Sequence, residues 1–242
     1  DYDSVAKLEV PDLTKGRVPQ YLLANKLAAE NITDKPTLAG CIGPFSLAGR
    51  LFDMTEIMMA CYVEPQTIEL LLQKCTEFIK KYCLELKKIG ANGVVIAEPA
   101  AGLLSNDDCL KFATPYLKEI IEAVQDESFI VVLHNCGNTG HCTQSMVATG
   151  AWAQHFGNKI DMVKALEDTP SEMLVMGNLD PVALFKVASP AEMKAATAEL
   201  LERTKDYNNF VLSSGCDTPP EVPAANIVAF YEALDEFNAK RA

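Results

Sequence analysis

The run FIVVLHNCGNTG, Phe129 to Gly140, opens with four aliphatic residues, Ile130 to Leu133, and then breaks into His134-Asn135-Cys136-Gly137. Aliphatic side chains in succession, with no helical spacing, predict a strand buried on both faces, as in a parallel sheet. Residues two apart on a strand share a face, so His134 and Cys136 present an imidazole and a thiol to the same side. Such a pair, where a strand turns into a glycine-containing loop, is half of a soft-metal site. Cys216 in LSSGCDTPP offers a third donor, because it also follows an apolar run (Phe210-Val211-Leu212) and a glycine. Singly, each residue reads as structure: a cysteine as a small buried hydrophobe, a strand-end histidine as a partner for a backbone carbonyl. Their combination makes metal binding the stronger reading.

Outward from this strand, short apolar runs alternate with amphipathic segments. Strands are expected at Thr37–Ile42, Gly93–Ala97, Ile130–Leu133, Ala151–Phe156, Leu174–Met176 and Phe210–Ser213. Helices are expected at Gln20–Glu30, Leu51–Tyr62 and Pro65–Lys88. Further helices follow at Asn106 (as the cap) to about Val124, near Thr143–Ala148, at Pro190–Asp206, and from Pro223 onward. Residues 1–17 read as polar and irregular. Strand–helix repetition predicts a parallel sheet with crossover helices. A closed (β/α)8 barrel needs eight strands, whereas six are found. The expected fold is therefore α/β: a (β/α)8 TIM-barrel-like domain over residues 1–242 that lacks its first one or two strands.

Composition narrows the function classes. The 242 residues are 49% hydrophobic, enough for a sizeable core, and carry a net charge of −12. That charge argues against nucleic acid or an anionic membrane surface as partner. No apolar run approaches the roughly 18 residues of a membrane span, and no signal-peptide pattern opens the chain. Eight cysteines at irregular spacing do not read as a disulfide framework. Cys61, Cys75, Cys83 and Cys109 fall in helical patterns, as reduced core thiols of a cytoplasmic protein would.

Functional side chains of parallel α/β folds collect at the C-terminal ends of the strands. Those ends are Gly43-Pro44-Phe45, Glu98-Pro99, His134-Asn135-Cys136, His155-Phe156-Gly157, Asn178-Leu179-Asp180 and Cys216-Asp217. Closure of the sheet would bring Cys216 to His134 and Cys136. Glu98 is a candidate catalytic group, as a fourth metal ligand or electrostatic partner, with a capping or structural role as the alternative. Asp217 is a candidate for orienting His134, against an Asx turn into Pro219-Pro220. Gly43, Phe45, Asn178 and Asp180 are candidates for cofactor or substrate contact, with capping the alternative for Asp180. His141 and Cys142 are a reserve pair for Cys136, against a surface helix start.

Four motifs carry a family resemblance: GPFSLAGRL from Gly43, HNCGN from His134, GNLDP from Gly177 and GCDTPPEVPAANI from Gly215. Together they resemble the uroporphyrinogen decarboxylase superfamily. The His-x-Cys…Cys pattern is similar to its zinc branch, the methylcobalamin:coenzyme M methyltransferases and related corrinoid-dependent methyltransferases. The resemblance implies a (β/α)8 barrel with a longer N-terminus, and Zn²⁺ held by His134, Cys136 and Cys216. It implies methyl transfer from methylcobalamin or a corrinoid carrier protein to a thiol such as coenzyme M or an analogue. A homo-oligomer is among the assemblies left open. One departure stands out: relatives carry an acidic residue after the fifth barrel strand, where this chain has His155-Phe156-Gly157-Asn158. The decarboxylase branch uses arginines and an aspartate near its N-terminus and lacks the His-x-Cys pair. Tetrapyrrole decarboxylation, or non-catalytic corrinoid or metal binding, remain as alternatives.

Overall fold

A computed structural model describes residues 1–241. Six strands form one sheet in the order β1-β2-β3-β4-β5-β6, every neighbouring pair parallel. They are β1 (Leu38–Ile42), β2 (Gly93–Ala97), β3 (Ile130–Asn135), β4 (Ala153–Phe156), β5 (Leu174–Leu179) and β6 (Phe210–Ser214). Helices α1 (Tyr2–Lys7) and α2 (Val18–Asn31) precede β1. Between β1 and β2 lie α3 (Pro44–Phe52), α4 (Met54–Val63) and α5 (Pro65–Lys88). The remaining crossovers are α6 (Asn106–Phe112) and α7 (Thr114–Val124), α8 (Thr143–Val147), α9 (Met162–Glu167), and α10 (Pro190–Thr204); α11 (Ala224–Ala239) closes the chain. This is the expected α/β, TIM-barrel-like architecture.

The sheet has two chemically different faces because successive side chains on a strand point to opposite sides. Val94 and Ile96 of β2, Val131 and Leu133 of β3, Phe156 of β4 and Val175 of β5 are fully buried and belong to the main core. The other face bears Gly40 and Ile42, Val95 and Ala97, Val132 and His134, His155, Met176 and Ser213, all lining one cleft of about 850 Å³. β1 and β6 are not hydrogen-bonded to each other, yet both line that cleft, so the sheet curls around it as a barrel wall open on one side. No helix among the described residues is long and apolar enough to cross a membrane.

Several boundaries differ from the sequence expectation. Residues 2–7 form α1, capped by the Asp1 side chain on Ser4 N, where irregular chain was expected. Pro44 starts a helix nine residues long, α3, because a proline in the first turn has no N–H to lose. The expected helix from Asn106 is two helices: Ser105, not Asn106, caps the first through Asp108 N, and Pro115 in the first turn of α7 marks the break. β3 and β5 run further than expected, carrying His134, Asn135, Asn178 and Leu179 into the ladder. α9 was not expected at all; it is six residues long, too short to show a helical period.

α3 and α4 meet at Asp53, which sits at φ 83°, ψ 137° and accepts from Thr55 N and Glu56 N. That backbone conformation disfavours a residue with a Cβ, and the two cap hydrogen bonds offset it. Asp53→Ala keeps the strain and loses the cap, so it should destabilise by about 2 kcal/mol. Asp53→Gly loses the cap but relieves the strain and should cost clearly less. Urea titration of both variants checks the order.

Candidate metal centre

β3 delivers the first two donors. His134 is its fifth residue and Cys136 lies just beyond its end, and both line the cleft, as the two-residue repeat requires. The turn after β3 is built by asparagines. Asn135 Oδ1 accepts from Gly137 N at 3.1 Å and Asn138 N at 3.0 Å, an Asx turn that reverses the chain right after Cys136. Asn138, fully buried, accepts in turn from Gly140 N and Cys142 N. Gly157 packs against the other side: a Cβ there would lie 2.8 Å from the Cys136 Cα and carbonyl oxygen, so any side chain would displace the thiol. At the end of β6, Ser214 Oγ donates to the Cys216 carbonyl at 2.8 Å and Gly215 N to the Leu179 carbonyl at 2.7 Å. These bonds aim Cys216 into the same cleft.

The donor atoms of His134, Cys136 and Cys216 all lie within 4.8 Å of one another. Cys216 Sγ is 3.7 Å from His134 Nε2. For zinc–sulfur and zinc–nitrogen bonds of about 2.3 and 2.0 Å, a tetrahedron has a sulfur–nitrogen edge of about 3.5 Å. Two sulfurs and one imidazole nitrogen therefore fit a soft divalent ion with one position left open. Burial pushes the Cys136 thiol up, and the neighbouring Cys216 sulfur adds to it. Burial also pushes His134 down toward the neutral imidazole a metal needs. A dication between the sulfurs would offset the cost of ionising them.

His155 stands beside His134 because the two are direct partners in the β3–β4 register. Their Nδ1 atoms are 2.6 Å apart, and His155 Nε2 lies 2.8 Å from the Ser214 carbonyl oxygen and 3.2 Å from Ser213 Oγ. Burial and the adjacent His134 push His155 down to about 4. The sequence placed His155 at a strand end but gave it no role.

The other expected site residues are engaged elsewhere. Glu98 is fully buried on the helix-facing side of β2 and accepts from Phe45 N at 2.9 Å, Ser46 N at 2.6 Å and Ser46 Oγ. It caps α3 and does not converge with the three donors. Gly43 lies against that carboxylate, where a Cβ would collide with Glu98, and Phe45 is packed in the core at 0% exposure. Asn178 Nδ2 donates to the Gly157 and Ile160 carbonyls. Asp180 accepts from Val182 N, Ala183 N and Asn158 Nδ2, as a cap does. These four residues therefore shape the strand-end loops, and none lines the cleft. Asp217 does line it, exposed, but makes no hydrogen bond to His134 among the described residues; His155 occupies that nitrogen. Cys142 is fully buried, 3.4 Å from Cys109 in the helix layer, and His141 contacts the Leu104 carbonyl. The reserve pair is thus outside the converging group. All eight cysteines are free thiols.

Fold and site together define an α/β-barrel type of protein with a sulfur-rich donor set at its strand ends. The chain belongs to the Uroporphyrinogen decarboxylase (URO-D) family, whose profile matches residues 1–237. It is 30% identical to the methylcobamide:CoM methyltransferase MtbA of Methanosarcina acetivorans, over 97% of this chain and 68% of that protein. It is 32% identical to the uroporphyrinogen decarboxylase of Chlorobaculum parvum, over 98% of this chain and 70% of that protein. Among solved structures, a methyltransferase from Methanosarcina mazei superposes with a TM-score of 0.87 at 28% identity, covering 97% of this chain and 69% of that one.

Burial pushes the Glu98 carboxyl up to about 7, against the lowering effect of its hydrogen bonds from Ser46 and Phe45. A carboxyl raised in the fold binds more protons there than in the unfolded chain, so its contribution to stability falls as pH rises through the interval between the two values. Relative to Glu98→Gln, the wild-type protein should lose on the order of 3 kcal/mol between the ordinary carboxylate range and pH 8. Paired denaturation curves across that range check it; a constant difference between the two proteins would contradict it.

Proposed function

We propose that this protein is a zinc-dependent methyltransferase that moves a methyl group from a methylated corrinoid to a thiol. The donor is methylcobalamin or a corrinoid carrier protein, and the acceptor is coenzyme M or an analogue. The observation that carries the reading is the convergence of His134, Cys136 and Cys216 within 4.8 Å on the wall of an 850 Å³ cleft. A bound zinc ion would supply the positive charge that ionises an incoming thiol at neutral pH.

The chain's own residues do the rest. Cys136 and Cys216 as thiolates, with a neutral His134, would balance a dication and so leave an acceptor sulfur electron-rich. Val95, Ala97, Val132 and Met176 give the cleft apolar walls, which exclude water from the approach of sulfur to methyl carbon. In the transfer a sulfur–carbon bond would form as the donor's methyl–cobalt bond breaks, leaving the electron pair with the corrinoid and releasing the thiol proton to solvent. Arg50, exposed in the last turn of α3, is the one lysine or arginine among the described residues lining the cleft. It is suited to an anionic group on the acceptor, opposite its thiol.

The similarity to uroporphyrinogen decarboxylases supports a second reading, decarboxylation of a tetrapyrrole. A substrate with several carboxylates needs several cations; the described cleft wall contributes Arg50, and the chain spans about 70% of the length of the decarboxylase it matches. The converging His134, Cys136 and Cys216, a set the decarboxylase branch lacks, favour methyl transfer.

Elemental analysis of protein never exposed to chelator should find about one zinc per chain. Cys136→Ala and Cys216→Ala should lose the metal more completely than His134→Ala, because each removes a sulfur clamp. All three should lose thiol-dependent demethylation of methylcobalamin while keeping their far-ultraviolet dichroism. Arg50→Gln should lower kcat/KM for anionic thiols about tenfold and leave neutral thiols nearly unchanged. Absence of zinc from the wild-type protein, or corrinoid binding without thiol-dependent turnover, would sink the proposal.

A further inference from the structure

We infer that His155 is a positioning residue: it fixes His134 in the tautomer whose free lone pair, on Nε2, faces the two cysteine sulfurs. The consequence for metal binding depends on the centre proposed above, whereas the tautomer itself follows from hydrogen-bond chemistry alone.

The chain of constraints begins at a backbone carbonyl. The Ser214 oxygen, 2.8 Å from His155 Nε2, accepts hydrogen bonds and cannot donate them. His155 Nε2 therefore carries a proton, and the Ser213 hydroxyl at 3.2 Å is a compatible second acceptor. A neutral imidazole protonated on Nε2 has its lone pair on Nδ1. Two ring nitrogens at 2.6 Å must share one hydrogen, and His155 has none to give from Nδ1. The donor is consequently His134 Nδ1–H. His134 keeps one lone pair, on Nε2, and Nε2 is the nitrogen 3.7 Å from Cys216 Sγ. A carbonyl on β6 thus sets, through His155 on β4, the protonation of a side chain on β3.

Two further observations fit this role. The His134–His155 pairing is built into the sheet register, with ring centroids 4.6 Å apart, so it needs no flexible loop. His155 itself is not among the converging donors, since both of its nitrogens are already engaged. Ligating histidines usually give their second N–H to a carboxylate, a backbone carbonyl or a water. A neutral imidazole in that place orients His134 without adding negative charge, so the two-thiolate, one-imidazole set still balances a dication. It also fills, with a side chain from an adjacent strand, the orienting role that Asp217 was expected to take.

The test uses the whole protein and two variants. His155→Gln retains an acceptor oxygen for His134 and an amide donor for the Ser214 carbonyl; His155→Leu retains neither. The chain has only three histidines, so long-range proton–nitrogen correlation of ¹⁵N-histidine-labelled, metal-free protein resolves each tautomer. His134 should appear protonated at Nδ1 in the wild type and in His155→Gln, and as a mixture or the opposite tautomer in His155→Leu. Zinc affinity, read by competition with a chromogenic chelator, should fall 10–100-fold in His155→Leu, the usual cost of losing such a partner, and only a few-fold in His155→Gln. Circular dichroism identifies any variant that fails to fold, and the wild-type tautomer then decides alone. A wild-type His134 protonated at Nε2, or a folded His155→Leu that binds zinc as tightly as the wild type, would overturn the inference. Loss of zinc in both variants alike would make His155 a ligand and would overturn it too. A wild-type protein with the assigned tautomers but no affinity for zinc would instead refute the metal centre and leave the tautomer assignment standing.

Discussion

Everything at the site depends on β3 being hydrogen-bonded along both edges. With β2 and β4 in register on either side, the strand cannot rotate, and the only freedom left to its sequence is which residue falls on which face. Odd and even positions go to different environments: Val131 and Leu133 into the helix-packed core, Val132 and His134 into the cleft. A slip of one residue would bury the imidazole among aliphatic side chains and turn Leu133 toward the cleft, so the apolar helix layer holds the imidazole in place. Cys136 keeps the same parity beyond the ladder because Asn135 turns the chain immediately afterwards.

The same parity explains what could be read from the sequence. Six strands, their parallel order and the three soft donors were legible: apolar runs mark buried strands, and a cysteine or histidine just past such a run stands out. Strand-end position did not separate the donors from Glu98, Phe45, Asn178 and Asp180, which also sit at strand ends. Those side chains serve loops and helix starts instead. For Glu98 the signal was available, since Ala97 and Pro99 share a face and line the cleft, so Glu98 between them must point to α3. For His155 no signal was available. Its role depends on which residue of β4 lies opposite His134, a register between strands 21 positions apart that no local periodicity encodes. The split of the Asn106–Val124 segment was legible in Pro115, and the capping serine one residue upstream was the better cap.

Overall identity does not decide between the family's chemistries, because a methyltransferase at 30% and a decarboxylase at 32% are both matched over nearly the whole chain. A shared scaffold hosts different chemistries, and function is argued from the site. The discriminating residues are few and lie on the cleft side: an imidazole and two thiols that converge. Their softness suits a soft metal and a thiol better than a polycarboxylate.

In the absence of an ion, burial holds the Cys136 thiol against ionisation and His134 against protonation, so the group adds no buried charge to the fold. The turns that hold the donors are complete in themselves: Asn135, Asn138 and Ser214 satisfy their backbone neighbours with side-chain oxygens. The apolar face of the sheet and its helices bear the stability, as the fully buried aliphatic and aromatic residues of β2 to β5 indicate. The arrangement therefore differs from a zinc finger, in which the ion organises the chain. Here the chain organises the donors, and the separation of a load-carrying outer face from a chemically exposed inner one is what leaves the inner face free to carry reactive groups.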